Sequence, residues 1–173
     1  MFDRALEFIF AVEGHISDHP YDRGGRTVYG VSSTFAKKVG INLPTTKEEA
    51  RKIYKTYFWD NANLPLIESI SPKTAGVVFV CSVLIGAHRA ARFLQSTLKS
   101  RFKINIDVDG KIGPKTATAL KEAIQKFSEE EVIERFLTEV LYYLVRVAEV
   151  GNNRVFLNGW IWRIIKTATF FAK

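Results

Sequence analysis

Apolar residues recur at three- and four-residue intervals at the start of the chain. Phe2, Leu6, Ile9 and Phe10 follow this spacing, which places them on one face of an amphipathic helix. The pattern stops near Val12. The spacing therefore predicts a first helix that ends at about that residue.

A polar segment rich in Gly, His and Asp follows, over residues 14–30. Glycine, proline and short polar side chains interrupt regular periodicity, so this composition predicts a long loop. Residues 26–31 within it fit a short β-hairpin. Loops of this length inside a compact domain are usually functional or disordered, so this loop is the first candidate for a functional site.

Start and stop signals divide the rest of the chain into further helices. Thr46 with Glu49, and Ser128 with Glu131, have the spacing of capping boxes. The helices expected after the loop run over about 34–39, 46–59, 71–86, 87–99, 114–127, 128–151 and 153–171. The predicted fold class is all-α, with a small β-hairpin excursion in the loop after the first helix.

The composition allows a hydrophobic core and excludes some classes of protein. Hydrophobic residues make up 47% of the 173 residues, which suffices for one domain without covalent staples. The lone cysteine, Cys81, rules out a disulfide within the chain and fits a small buried hydrophobe. The longest apolar run, residues 75–87, is shorter than the roughly 20 residues of a membrane span, so we expect a buried helix there.

The first residues of the chain and its net charge indicate where the protein is made and what kind of partner it binds. An acid at Asp3, and no long apolar stretch before Glu13, argue against a secretory signal. We therefore expect synthesis in the cytoplasm and no stable membrane insertion. The formal net charge of +7 favours an anionic partner such as nucleic acid, a membrane surface or cell-wall polymers. The basic residues are scattered and form no recognisable nucleic-acid module, so nucleic acid is not the expected partner.

Three residues around the loop could form a glycosidase site. Glu13 stands at the end of the apolar helix, where burial and the negative end of the helix dipole would raise its pKa. A carboxylic acid that stays protonated near neutral pH can protonate a leaving sugar oxygen. Asp22, in the polar loop, would stay ionised, and the hydroxyl of Thr27 could hold a water. The three together fit inverting hydrolysis.

Several motifs resemble glycoside hydrolase family 108, the group of phage endolysins and secretion muramidases. The matching segments, in chain order, are residues 13–14, 22–27, 29–31, 57–60, 64–65, 94–95, 108–116 and 159–163. They are similar to the family's E-G-G, D-P-G-G-x-T, Y-G-I, Y-W-D, L-P, L-Q, D-G-x-x-G-P-x-T and G-W-x-x-R. The resemblance covers nearly the whole chain.

The resemblance implies an N-acetylmuramidase with a lysozyme-like helical fold. Glu13 carries over as the catalytic glutamate, and Asp22 and Thr27 follow from similarity to the Glu–Asp–Thr spacing of phage lysozymes. We expect one domain, with residues 1–70 as the catalytic lobe and residues 71–173 as a helical lobe with a peptidoglycan-binding segment. The implied partner of this monomer is the peptidoglycan glycan strand, with no cofactor and no metal. A holin or a similar route would release the enzyme to the wall.

Some positions depart from the family pattern. His15 stands where the second glycine of E-G-G is usual. Val80 and Leu84 stand where the family usually has Asp and Asn. If those polar residues brace the glutamate in relatives, this chain supports its site differently.

Aromatic and amide side chains near the loop are candidates for sugar binding. Tyr21 and Tyr29 flank the loop, and Trp59 stands at a helix end close to Asn61. We expect these four residues to contact substrate. The last helix, with its aromatic and basic residues, is expected to close the core.

Other interpretations stay open at this stage. The enzyme could be a lytic transglycosylase, which needs one acid and leaves an anhydro product. It could be a catalytically impaired wall-binding protein, or its basic last helix could act on membranes. His15 and His19, with Asp18 and Asp22, are an alternative zinc site, although solvated loop histidines are the expected state.

Overall fold

The computed structural model describes residues 1–13, 16–17 and 25–172, with residues 13, 16 and 17 described through their backbone. The α-helices are α1 (Phe2–Glu13), α2 (Ser33–Val39), α3 (Lys47–Tyr54), α4 (Leu64–Glu68), α5 (Pro72–Ile85), α6 (Ala87–Ser100), α7 (Pro114–Lys126), α8 (Glu129–Ala148) and α9 (Leu157–Phe171). A π-helical segment, Lys55–Asp60, continues α3, and a 3-10 turn, Asn153–Phe156, precedes α9. The predicted class, all-α with a small β-hairpin after the first helix, is confirmed.

The β structure is a small antiparallel sheet. Its strands are β1 (Ile16–Ser17), β2 (Thr27–Val28) and β3 (Val31–Ser32), in the order β1-β2-β3. Between β2 and β3, Tyr29 and Gly30 both have positive φ, 49° and 79°, as tight two-residue hairpins require. The hairpin lies where the sequence predicted it, whereas the pairing of β1 with β2 was not predicted.

Helix α5 is the central element of the core. It packs against α1, α4, α6, α8 and α9, and its residues 74–82 are all buried. The hydroxyl of Ser71 accepts the N–H of Thr74 at 2.9 Å and caps the helix, which confirms the predicted start. Burial also raises the pKa of the Cys81 thiol to about 12, so Cys81 behaves as the small buried hydrophobe expected from sequence.

An aromatic cluster joins α1 to the π-helical segment. The ring of Trp59 lies 5.4 Å from that of Phe2 and 5.3 Å from that of Phe79. Tyr54 and Trp59 are 0% and 1% exposed, and they stand five residues apart. A π-helix has i→i+5 hydrogen bonds and therefore a wider turn than an α-helix. Residues five apart then lie on the same side of the helix, so the rings of Tyr54 and Trp59 both face the core.

The last two helices close the core, as the sequence indicated for the last one. Ser128 caps α8 by accepting the N–H of Glu131 at 3.0 Å. Ile164 and Phe171 of α9 are buried, and α9 packs on α5 and α8. Within the described part of the chain, each helix is too short or too polar to cross a lipid bilayer.

Candidate active site

A groove of about 690 Å³ opens between the end of α1, the β-hairpin and the start of α9. We call it the hairpin groove. Val12, Thr27, Leu84 and Trp160 line it, and they come from α1, β2, α5 and α9 respectively. The groove therefore gathers segments that lie far apart in the sequence, and the predicted catalytic loop begins at its edge.

Glu13 is the last residue of α1. The residue before it, Val12, lines the hairpin groove, so the backbone of Glu13 stands at the groove's edge. The end of the helix agrees with the sequence prediction. The side chain of Glu13 lies outside the described part of the chain, and its role stays a prediction.

Thr27 is half-buried in β2 and lines the same groove. Its hydroxyl donates to the carbonyl of Gly25 at 3.3 Å. Strand pairing fixes its position, because Thr27 stands opposite Ser17 on one side and Ser32 on the other. The structure thus brings Thr27 and the end of α1 together. Asp22, the third predicted catalytic residue, lies outside the described residues.

Three of the four predicted sugar-binding residues lie in the described part of the chain, and none of these three lines this groove. Trp59 was predicted to form a cleft wall, and that prediction is wrong because its side chain is 1% exposed in the aromatic cluster. Tyr29 is half-buried, and its ring packs against Phe10 with centroids 6.3 Å apart. Asn61 is exposed after the π-helical segment, away from the described lining of the hairpin groove. Tyr21 lies outside the described residues.

Helix α9 and the 3-10 turn before it supply the groove wall that sequence reasoning did not assign to the site. Phe156 and Trp160 stack with centroids 5.9 Å apart, and Arg163 lies one turn further along. All three line the hairpin groove. Trp162 lines it as well and is 49% exposed. The signal was present, because residues spaced three and four apart share one face of a helix.

The two departures from the family pattern have different settings. Val80 is 2% exposed in α5 and belongs to the core. Leu84 is half-buried and lines the hairpin groove beside Val83. The floor of the groove is therefore apolar at this point, where the family usually has an amide.

The turn before α7 is fastened to α6 by one buried side chain, Gln95. Its amide nitrogen donates to Oδ1 of Asp109 at 2.8 Å and to the carbonyl of Lys111 at 3.0 Å. Its oxygen accepts the N–H of Gly110 at 2.7 Å. The backbone N–H of Lys111, followed by the Gln95 amide, holds the pKa of Asp109 below its usual value. The predicted turn is thus a closed hydrogen-bonded structure.

Histidines do not gather into a metal site in the part of the chain that the structure describes. His88 packs over Gly110, where a Cβ atom would lie 2.5 Å from its Nε2. His15, His19 and Asp18 lie outside the described residues. Across the described ranges, no three His, Cys, Asp or Glu side chains come together as ligands.

Comparison with known proteins assigns the two halves of the chain. Residues 6–86 match the model of the family described as glycosyl hydrolase 108. Residues 89–165 match that of the predicted peptidoglycan domain. No curated protein matches the chain.

One solved structure shares the fold over almost the full length. SagA from Brucella abortus is 24% identical, with a TM-score of 0.78 over 99% of this chain and 93% of that one. At this identity the likeness speaks for the fold alone. The two matched segments follow each other along the chain and meet beside Gly86. The chain therefore joins an N-terminal segment of glycoside hydrolase family 108, residues 6–86, to a C-terminal peptidoglycan-binding segment, residues 89–165.

Proposed function

We propose that the protein is an N-acetylmuramidase, which hydrolyses the β-1,4 bond between N-acetylmuramic acid and N-acetylglucosamine. One observation carries the proposal. The end of α1, with Val12 and then Glu13, meets Thr27 at a single open groove. The α1 and hairpin side of that groove lies in the segment matched by the glycosyl hydrolase 108 model. Its opposite wall, formed by Trp160 and Arg163, lies in the segment matched by the predicted peptidoglycan domain.

In the proposed reaction Glu13 is the general acid. Its proton passes to the bridging oxygen as the bond from that oxygen to C1 of the muramic acid breaks. A water adds to C1 from the opposite face, and Asp22 takes its proton or orients it. Thr27 holds this water through its hydroxyl, which already projects towards the carbonyl of Gly25. Water attack opposite the leaving group inverts the anomeric centre.

The walls of the hairpin groove suit a sugar strand. The stacked rings of Phe156 and Trp160 offer a flat apolar surface, which can cover the face of a pyranose ring. Arg163 adds a cationic donor beside them. The half-buried Leu84 and Val83 make the floor apolar, and an apolar floor favours the protonated form of a nearby carboxyl group.

The biological setting follows from the substrate. We infer that the protein acts as a monomeric bacteriolytic endolysin of phage type, which reaches the cell wall through a holin or a similar route. Its basic character, with a formal net charge of +7, suits an anionic wall. Neither a cofactor nor a metal is needed for this chemistry.

Product analysis tests the proposal. Purified peptidoglycan would be digested with the full-length protein, reduced with borohydride and examined by mass spectrometry. We expect new muramitol ends, and nuclear magnetic resonance should show the α-anomer first. Anhydromuramic ends would show that the protein is a lytic transglycosylase and does not hydrolyse the bond. New reducing ends on N-acetylglucosamine would contradict the assigned bond.

A further inference from the structure

A second groove, of about 740 Å³, lies where α2 faces the start of α6. We call it the basic groove. Lys38 of α2 and His88, Arg89 and Arg92 of α6 line it. Its described lining includes no Asp or Glu, so its walls carry cationic groups without a compensating acid.

The basic groove continues the hairpin groove. Phe35, Phe58 and Gly86 line both, and the rings of Phe35 and Phe58 lie 4.8 Å apart. These rings form a shared rim between the two depressions. A polymer that leaves the hairpin groove across this rim enters the basic groove directly.

Two of the cations are placed to meet a ligand. Lys38 and Arg92 are exposed, and among the described residues no ion pair involves either side chain. One nitrogen of Arg92 donates to the carbonyl of Val108 at 3.0 Å, which orients the guanidinium and leaves its other N–H groups available. Arg89 is more constrained, because it donates to Ile85 and lies over the ring of Tyr143.

The two family-matched segments meet at this groove. Lys38 belongs to the glycosyl hydrolase segment, and Arg92 belongs to the peptidoglycan domain. Cations from both segments therefore face one continuous channel. A substrate that extends from the hairpin groove across the shared rim therefore meets cations of both segments.

We propose that the basic groove binds carboxylates of the peptide stems of peptidoglycan, with Lys38 and Arg92 as the contacting groups. The inference rests on the proposed function, since it takes the strand in the hairpin groove to be a glycan. The sugars of such a strand are largely uncharged, whereas each peptide stem carries carboxylates. A guanidinium pairs well with a carboxylate because its N–H groups match the two oxygens.

The test compares two substrates, intact peptidoglycan and stripped glycan strands. In the stripped strands an amidase has removed the peptides, and the lactyl carboxylates that this exposes have been capped as methylamides. The double variant Lys38→Gln with Arg92→Gln should lower kcat/KM on intact peptidoglycan about five- to tenfold, because each exposed ion pair contributes modestly. The ratio of kcat/KM on intact strands to that on stripped strands should fall by the same factor. Added salt should shrink the difference.

The matched control is Lys37→Gln with Lys99→Gln. These lysines are exposed on the same two helices and lie outside the lining of the basic groove. The control should keep the wild-type ratio. The inference would be overturned if the Lys38 and Arg92 variant kept the wild-type ratio of kcat/KM on intact strands to kcat/KM on stripped strands. It would also be overturned if the difference between variant and wild type disappeared on removal of wall phosphates and not on removal of peptides.

A binding readout separates this inference from the proposed reaction. Wild-type protein would be sedimented with insoluble peptidoglycan in the presence of a soluble stem peptide, with a peptide-free glycan oligosaccharide as the comparison. We expect the stem peptide to weaken binding of the wild type and to have little effect on the double variant. If the wild type binds in this way and yet cleaves nothing, the proposed reaction fails and the carboxylate site stands. Equal competition in both proteins would remove the site whatever the catalytic outcome.

Discussion

Gln95 is a single side chain on which a whole turn depends. It is 2% exposed, and its amide satisfies the N–H of Gly110 and the carbonyl of Lys111 as well as Asp109. A buried backbone group that loses its hydrogen-bond partner destabilises the folded state by the full free energy of its desolvation. The family motif around Asp109 therefore has a structural role, because its hydrogen bonds to Gln95 hold the turn before α7 against α6.

Replacing Gln95 by Leu should destabilise the folded chain by about 2 kcal/mol. The buried N–H of Gly110 would lose its acceptor, and Asp109 and the carbonyl of Lys111 would each lose a donor. Urea unfolding followed by circular dichroism measures this change. Gln125→Leu, at an exposed position of α7, serves as the control and should leave the unfolding midpoint nearly unchanged. Equal midpoints for the two variants would show that the hydrogen bonds of Gln95 contribute no stability.

The same variant has an expected pH signature. In the folded chain the pKa of Asp109 lies below its ordinary value of 3.8. Its ionised form therefore contributes stability at higher pH, and that stability is lost as the pH falls through the lowered pKa. Because Gln95→Leu removes one of the donors to Asp109, the variant should lose less stability on acidification than the wild type.

Thr27 and Trp59 show which features of individual residues could be predicted from the sequence and which could not. The position of Thr27 in a hairpin beside the end of the first helix could be predicted, because Tyr29-Gly30 and the flanking residues give a tight-turn pattern. The burial of Trp59 could not. A regular α-helix continued from Tyr54 would turn Trp59 to another face, and the π-helical turn that brings it into the core depends on contacts with Phe2 and Phe79.

At the scale of elements, the packing of α9 on α5 depends on one glycine. A Cβ atom at Gly76 would lie 2.4 Å from Cε1 of Phe171 and 3.0 Å from Cγ of Met1. The absence of a side chain at Gly76 lets the ring of Phe171 reach the backbone of α5. This contact holds the end of the helix that also forms the wall of the hairpin groove.

Gly76→Ala should therefore destabilise the protein by about 1–3 kcal/mol, the usual cost of overpacking a core. Thermal unfolding measures the effect. The control is Gly159→Ala in α9, where a Cβ atom would meet no heavy atom within 4 Å. That change should be neutral or stabilise the helix by about 0.5 kcal/mol. Stability of Gly76→Ala equal to that of wild type would contradict the close contact.

A second variant checks the cause. The clashing atoms belong to the outer ring of Phe171, and leucine lacks them. Phe171→Leu combined with Gly76→Ala should be more stable than the sum of the two single effects indicates. Simple additivity would mean that Gly76→Ala acts elsewhere.

The boundaries of most helices could be predicted because local chemistry sets them. Ser71 and Ser128 cap α5 and α8 as their spacing indicated. The capping box at Thr46 is only half formed, since the carboxylate of Glu49 accepts the N–H of Thr45 at 2.7 Å instead. Helix α4, the separate π-helical segment and strand β1 were not predicted, because they are short and depend on tertiary packing.

At the scale of the whole molecule, the hairpin groove is assembled from distant parts of the chain. Val12 and Arg163 both line it, although about 150 residues separate them in the sequence. Periodicity and capping signals predicted every α-helix of the described residues except α4, but not which helix faces meet. For this reason α9 was expected only to close the core. The motif around Trp160 and Arg163 carried the missing signal, and only the folded chain places it opposite the end of α1.

The fold also joins the two grooves into one surface. The hairpin groove belongs to the proposed reaction, and the basic groove adds a place for charged substituents of the same polymer. They share the rim formed by Phe35 and Phe58. A glycan strand and its peptide stems would thus be bound by different walls of one channel.

The most direct test of the account is the release of reducing ends from purified peptidoglycan by Glu13→Gln. The amide keeps the shape of the side chain but has no proton to give, so the rate should fall roughly 10³-fold with unchanged thermal stability. Glu7→Gln, at an exposed position of α1, is the control and should retain wild-type activity. A Glu13→Gln variant that cleaves peptidoglycan nearly as fast as the wild type would contradict the assignment of Glu13 as the acid.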